Sequence, residues 1–337
     1  MSIKKLFLLV FLPAAVLFQA CGPENVINPV TPPDNKQEPE QPENPDNPGT
    51  PSGDAVTMTV CTFNIRYANT TDTYPGGASA GWTARRESVK KFIETTKPDL
   101  IGLQELRQSQ SQWFSSTFGS EYGYYDVNRD NSSGSSVGTS GGEGVGLMYR
   151  KDRFDLVLKD FFWLDDNPRS RPTQNSDGTY GSWNSACRRV TVYAELKDKK
   201  HGNSIVWFFP THYDHKSDEA RTKAAEMMVT QMKTLCKVSD LKEPDPVIIH
   251  VGDLNTTSDK LAPLNNAMHY ARLEIDGTDK YTATFVGFDR SSNKIIDHIY
   301  YGGKSVKPLK YWVDNTDYGV PVLSDHVPVL FQWEYKD

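Results

Sequence analysis

Six polar clusters punctuate this chain, each attached to an apolar run. They are Asn64 in TFNIRY, Glu105 in GLQEL, His212 and Asp214 in WFFPTHYDH, Asp253 and Asn255 in VIIHVGDLN, Asp297 in KIIDHIYY, and Asp325 with His326 in SDHVPVL. A single carboxylate at a strand end is usually an exposed loop residue. Six together require strand ends that converge on one site, as packed sheets allow. Oxygen groups such as Glu105, Asn64 and Asp325 suit a hard cation, Mg²⁺ or Mn²⁺, which keeps several waters. An imidazole with a carboxylate partner can be held in one tautomer and can donate a proton or steady negative charge. Metal plus oriented imidazole is phosphoester chemistry. A zinc peptidase is the competing idea, but HEXXH is absent, and His212 and His215 of HYDH fall on opposite faces of a continuing strand.

These groups need elements to carry them. VTMTVCTFNIRY alternates like a strand, and RRESVKKFIETTK places Val89, Phe92, Ile93 and Thr96 at helical spacing. Further strands are expected at PDLIGLQEL, GVGLMYR, RRVTVYAEL, SIVWFFPTH, PVIIHVGD, KIIDHIYY and VPVLFQWEY. SDEARTKAAEMMVTQMKTLC reads as an amphipathic helix, with Met227, Met228 and Met232 as core filler. Strand alternation is expected to put Asp253 and Asn255 on one face. The Ser/Gly-rich stretch RDNSSGSSVGTSGGEG is expected to be a mobile loop, a place for recognition or a plain insertion.

Of the 337 residues 24% are charged and 37% hydrophobic, which is ordinary globular composition. The net charge of -6 gives no general attraction to polyanions, so a stable nucleic-acid complex is not expected. Lys4, Lys5 and LFLLVFLPAAVLF form an export signal over residues 1–20, too short and Pro-interrupted for a membrane span. FQAC resembles a bacterial lipoprotein signal, with Cys21 lipidated; a plain signal cleaved after Ala20 is the other option. Residues 21–54, with Pro39, Pro42, Pro45, Pro48 and Pro51 every third position, are expected to form an extended tether. Residues 55–337 would be the catalytic domain, a monomer held to the membrane by its lipid and facing the periplasm or cell surface. Cys61, Cys187 and Cys236 lack CxxC spacing and read as small core residues.

In this order TFNIRY, PDLIGLQEL, THYDH, GDLN, IDHIY and SDHVPV resemble the endonuclease/exonuclease/phosphatase superfamily related to DNase I, over roughly residues 56 to 334. The resemblance implies a four-layer α/β sandwich, two central mixed β-sheets flanked by helices, with the site at one edge. It implies Glu105 as the principal Mg²⁺ (or Mn²⁺) ligand, with Asn64 and Asp325 helping through water. Asp253 would activate the attacking water and Asn255 would orient Asp253 or a phosphate oxygen. His326, held by Asp297, would stabilise phosphoryl charge, and His212 would bind phosphate from the other side. Pro210, Leu254 and His298 depart from the family's usual wording without removing any of these groups.

GWTARRESV, FFWLDDNP and SWNSACRRVTVYAEL resemble an exported bacterial branch, through Trp82, Arg85, Trp183 and Arg189. Arg189 is a candidate phosphate or substrate contact or a structural ion pair. Asp214 and Trp183 are further candidates for the substrate side, and Trp82 and Trp183 can equally be packing residues. A phosphomonoester or phosphodiester that is small or sugar-linked is the first expectation for a substrate. An exported nuclease and a noncatalytic surface binding protein are the alternatives. No apolar hairpin for entering a bilayer is evident.

Overall fold

Runs such as VIIHV and LIGL, apolar at nearly every position, need burial on both faces of a strand. The computed structural model, which describes residues 55–275 and 279–336, provides this by stacking two sheets face to face. In chain order the elements are β1 (Thr57–Asn64), α1 (Trp82–Thr96), β2 (Leu100–Arg107), α2 (Gln108–Phe118), β3 (Tyr122–Asn128), α3 (Val137–Ser140), β4 (Glu143–Arg150) and β5 (Phe154–Trp163). They continue with β6 (Val190–Asp198), β7 (Ser204–His212), α4 (Asp218–Cys236), β8 (Val247–Asp253), α5 (Ala262–Ala267), β9 (His269–Tyr270), β10 (Asp297–Gly302), β11 (Val306–Val313) and β12 (Val329–Tyr335). Among the described residues one six-stranded sheet runs β11-β12-β1-β2-β4-β3 and the other β5-β6-β7-β8-β10-β9.

Successive strand residues serve different layers. Val60 and Leu100 from the first sheet join Phe208, Ile249 and Val251 from the second in the central core. Their neighbours Cys61 and Ile101 face outward with Phe92 of α1 and Phe114 of α2. On the far side Phe209 and Ile248 pack against Ala224, Met228 and Met232 of α4. The result is the expected four-layer order of helix, sheet, sheet, helix.

Both sheets are mixed, and the mixing places the site. β1 pairs parallel with β2, and β7 parallel with β8. Parallel neighbours end at the same edge, so Asn64 and Glu105 emerge together from one sheet and His212 and Asp253 from the other. β10 runs antiparallel to β8 in a register that sets Asp297 opposite Asp253.

Several elements escaped the sequence pattern. Helix α2, QSQSQWFSSTF, is too polar for a clear apolar stripe, and β5 is an edge strand whose Leu156, Val157 and Leu158 stay exposed. Strands β3 and β11 were not expected either. The Ser/Gly-rich stretch is tied down rather than free. It contains α3, capped by Ser136, with Val137 and Gly138 buried and the Gly138 carbonyl accepting from Gln108 and Gln112 of α2. Cys61 is a core residue, whereas Cys187 and Cys236 are only partly covered. Among the described residues no helix is long and apolar enough to cross a membrane. The expected signal, Cys21 and tether lie outside the described residues.

Candidate active site

Three of the other polar strand ends meet at the carboxamide of Asn64. Asn64, the last and fully buried residue of β1, donates from Nδ2 to Glu105 Oε1 at 3.1 Å and to Asp253 Oδ2 at 3.0 Å. The same nitrogen lies 3.4 Å from His326 Nε2. Its Oδ1 accepts from the Arg66 N–H at 3.0 Å, which fixes which way the amide faces. Asn64 therefore offers Glu105 an N–H and keeps its oxygen for the backbone. In this position it orients Glu105 and Asp253.

Glu105 reaches this point through local backbone distortion. The β2–β4 register slips between Leu103 and Leu106, and Glu105 has φ 61°, left-handed for a side chain that rarely tolerates it. Without the bulge, Glu105 would follow the pleat instead of turning to the sheet edge. Its Oε2 accepts from the Tyr67 N–H at 3.1 Å. Arg66, also left-handed at φ 54°, ion-pairs with Asp72 at 2.9 Å and approaches Asp325 at 3.7 Å. Arg85 staples these segments from below, donating to the carbonyls of Ala80, Ile65, Leu323 and Arg66.

From the second sheet, Asp253 Oδ1 accepts from the Asn255 N–H at 2.9 Å. Strand β8 ends at Asp253, and Asn255 follows in a turn with φ 51°, so it reaches the site by a left-handed turn and not by strand alternation. Asn255 Nδ2 donates to the Tyr213 carbonyl at 3.0 Å and lies 3.1 Å from His212 Nε2. Because the amide nitrogen is the donor, His212 Nε2 is the acceptor in that contact. Burial, with Arg189 and Arg129 adding to it, holds His212 well below the ordinary histidine range, so it is neutral.

His326 is in the opposite state. Burial opposes its charge, but the Asp297 and Asp253 carboxylates prevail and push it up to about 10. Its Nδ1–H donates to Asp297 Oδ2 at 2.8 Å, and its Nε2 lies 3.6 Å from Asp253 Oδ2. Phe285 stands edge-on against the ring at 4.9 Å. Asp253 itself is pushed up to about 7 by burial and by Asp297, against the pull of His326. His326 and Asp325 precede β12 in a loop, where the Val286 and Gly287 N–H groups hold the Asp325 carbonyl.

Asp253, Asp297 and His326 bring ligand-type atoms within 4.8 Å of one another. In the arrangement seen, His326 Nδ1 is engaged with Asp297 and its Nε2 lies beside Asp253, so the three groups form one buried cluster. Glu105 fits a hard cation better: each of its oxygens takes one N–H bond, leaving lone pairs free at the sheet edge.

The substrate-side expectations divide. Asp214 is occupied internally, accepting from the N–H groups of Lys216, Ser217 and Cys187. Trp183 is buried among the residues beneath α4 and gives its Nε1–H to Asp166 at 2.7 Å, so it packs rather than walls a pocket. Trp82 likewise packs, against Trp113 and Phe114. Arg189 is buried beside this edge, its Nη2 2.9 Å from His215 Nδ1. The sequence reading singled out neither Arg66 nor Arg129; Arg129 is anchored by Glu143.

A cavity of about 400 Å³ lined by Ser204, Trp207, Cys236 and Pro246 lies at the starts of β7 and β8, the end away from these groups.

A family model described as the Endonuclease/Exonuclease/phosphatase family matches residues 61–326. The CCR4-Not complex 3'-5'-exoribonuclease subunit of Kluyveromyces lactis is 24% identical over 301 residues, 75% of this chain. The chain spans only 37% of that relative's length. An endonuclease/exonuclease/phosphatase from Bacteroides vulgatus is similar with TM-score 0.67 and 27% identity, over 83% of this chain and 100% of its own. A mannosyl-6-phosphatase of Bacteroides thetaiotaomicron VPI-5482 gives TM-score 0.68 and 26% identity, over 82% of this chain and 99% of its own.

Proposed function

This chain belongs to the endonuclease/exonuclease/phosphatase family, hydrolases of phosphoester bonds, and from that premise we propose a divalent-metal-dependent phosphoesterase acting on a small or sugar-linked substrate. One nitrogen carries the proposal: Asn64 Nδ2 contacts Glu105, Asp253 and His326, residues from three separate parts of the chain. Glu105 would hold Mg²⁺ or Mn²⁺, which when bound neutralises charge on phosphate oxygens. Asp253, with a value near 7, accepts a proton from water while Asn255 and Asn64 fix its two oxygens. The His326 imidazolium, steadied by Asp297, faces the phosphoryl charge that builds up. Neutral His212 keeps Asn255 in place and lines the opposite side.

The similarity to a mannosyl-6-phosphatase supports a sugar-linked phosphoester. The exoribonuclease relative supports a second reading, a nuclease, while the net charge of -6 weighs against gripping a long polyanion. We place the enzyme outside the cytoplasm as a monomer, held to the membrane through a lipid on Cys21, on the strength of the N-terminal sequence. A panel of phosphosugars, nucleotides, lipid head groups, RNA and DNA, assayed with Mg²⁺ and Mn²⁺, tests this. Hydrolysis of phosphosugars that stops with EDTA and in Asp253→Ala is expected. Turnover that survives either treatment overturns the mechanism, and preferred cleavage of nucleic acid moves the assignment to the nuclease.

A further inference from the structure

We infer that this site selects a phosphomonoester dianion, and that Arg189 is the residue that separates it from a diester. The inference rests on the phosphoesterase reading and adds the charge type of the substrate.

Arg189 immediately precedes β6 and is 4% exposed. Its Nη2 donates to His215 Nδ1 at 2.9 Å, while Nε and Nη1 are buried with no hydrogen-bond partner. The nearest carboxylate, Asp214, stands 3.7 Å from Nε and has its oxygens committed to three backbone N–H groups. Unspent N–H groups on a buried guanidinium carry a desolvation cost, which an incoming anion would relieve.

The surroundings suit such an anion. A guanidinium cannot accept a hydrogen bond, so His215 Nδ1 must, and the imidazole proton sits on Nε2. Burial, with Arg189 adding to it, pushes the ring down to about 4, leaving it neutral. Arg129, anchored by Glu143, also has a buried Nε without a partner, and both guanidiniums act on His212 and His215.

The two substrate types ask for different donors. A diester has two non-bridging oxygens and one negative charge, which His326 and a cation on Glu105 can serve. A monoester has a third non-bridging oxygen and a second charge, and these need a fork of donors on the His212 side. In hydrolysis the water oxygen bonds to phosphorus as the ester P–O bond breaks. One water proton stays with the released phosphate and the other ends on the alcohol.

The test compares p-nitrophenyl phosphate with methyl p-nitrophenyl phosphate, which share a leaving group, in full-length protein with Mg²⁺ or Mn²⁺. The wild type is expected to favour the monoester. Arg189→Ala should lose roughly 100-fold in kcat/KM on the monoester with the diester rate retained, which also reports a folded site. Arg189→Lys keeps the charge without the fork and should fall between them. Inorganic phosphate should inhibit the wild type and lose potency in both variants. A wild type equally active on the diester, or equal losses on both substrates in Arg189→Lys, overturns the inference while leaving the phosphoesterase in place. Turnover of neither substrate overturns both.

Discussion

At the scale of the residue, the site works through charges that burial would ordinarily suppress. His326 stays protonated because Asp297 and Asp253 flank it, and His212, which Arg189 and Arg129 further disfavour from charging, stays neutral. If activity needs the His326 imidazolium, it falls as pH rises through about 10. Asp297→Asn removes the main carboxylate that raises this value, so the alkaline limb of the kcat/KM profile should move to lower pH. The same ion pair stabilises the fold in full below the unfolded-state histidine value near 6.5, and that contribution is lost as pH climbs through about 10. Asn64 makes a separate prediction. Asn64→Ala frees Glu105 from an orienting N–H, so the Mg²⁺ concentration for half-maximal activity should rise about 10- to 100-fold. An unchanged Mg²⁺ titration would show that Glu105 does not hold the cation.

At the scale of the element, activity depends on how closely two sheets approach. Glu105 rides on β2 and Asp253 on β8, and Gly102 is where these strands nearly touch. A Cβ built on Gly102 would lie 2.6 Å from Val251 Cγ2 and 3.0 Å from Pro210 Cβ. Gly102→Val should therefore force the layers apart, costing about 1–3 kcal/mol in denaturant unfolding. It should also lower kcat more than a surface substitution of equal instability, because the Asn64–Asp253 bond spans the same gap. Equal activity at reduced stability would mean that the site tolerates wider sheet spacing.

At the scale of the whole molecule, every proposed catalytic group lies within residues 55–337. A protein limited to residues 55–337 should keep the kcat/KM of the full chain on soluble substrates. Only the full chain should partition into membranes, as measured by vesicle flotation after lipidation in a bacterial host. Loss of activity on removing residues 1–54 would give the tether a role beyond spacing. Much of this organisation was legible in the sequence because apolar runs broken by Asn, Asp, Glu or His carry their own signal. The strand ends bearing Asn64, Glu105, His212 and Asp253 were placed in this way. Helix α2 and strand β5 were not, because a polar helix and an exposed edge strand owe their form to neighbours more than to their own pattern.

What the sequence determined by itself was the inventory and the family: which groups exist, in what order, and that their strands pack in layers. Strand runs apolar at nearly every position, which need cover on both faces, encode the layers directly. Tertiary structure decided which atoms of those groups face one another. The bulge that turns Glu105, the left-handed turn that brings in Asn255 and the carbonyls that fix Arg85 arise from contacts between distant segments. So do the opposite charge states of His212 and His326, since a histidine's protonation follows from burial and neighbouring charge, and neither is written in its own stretch of chain.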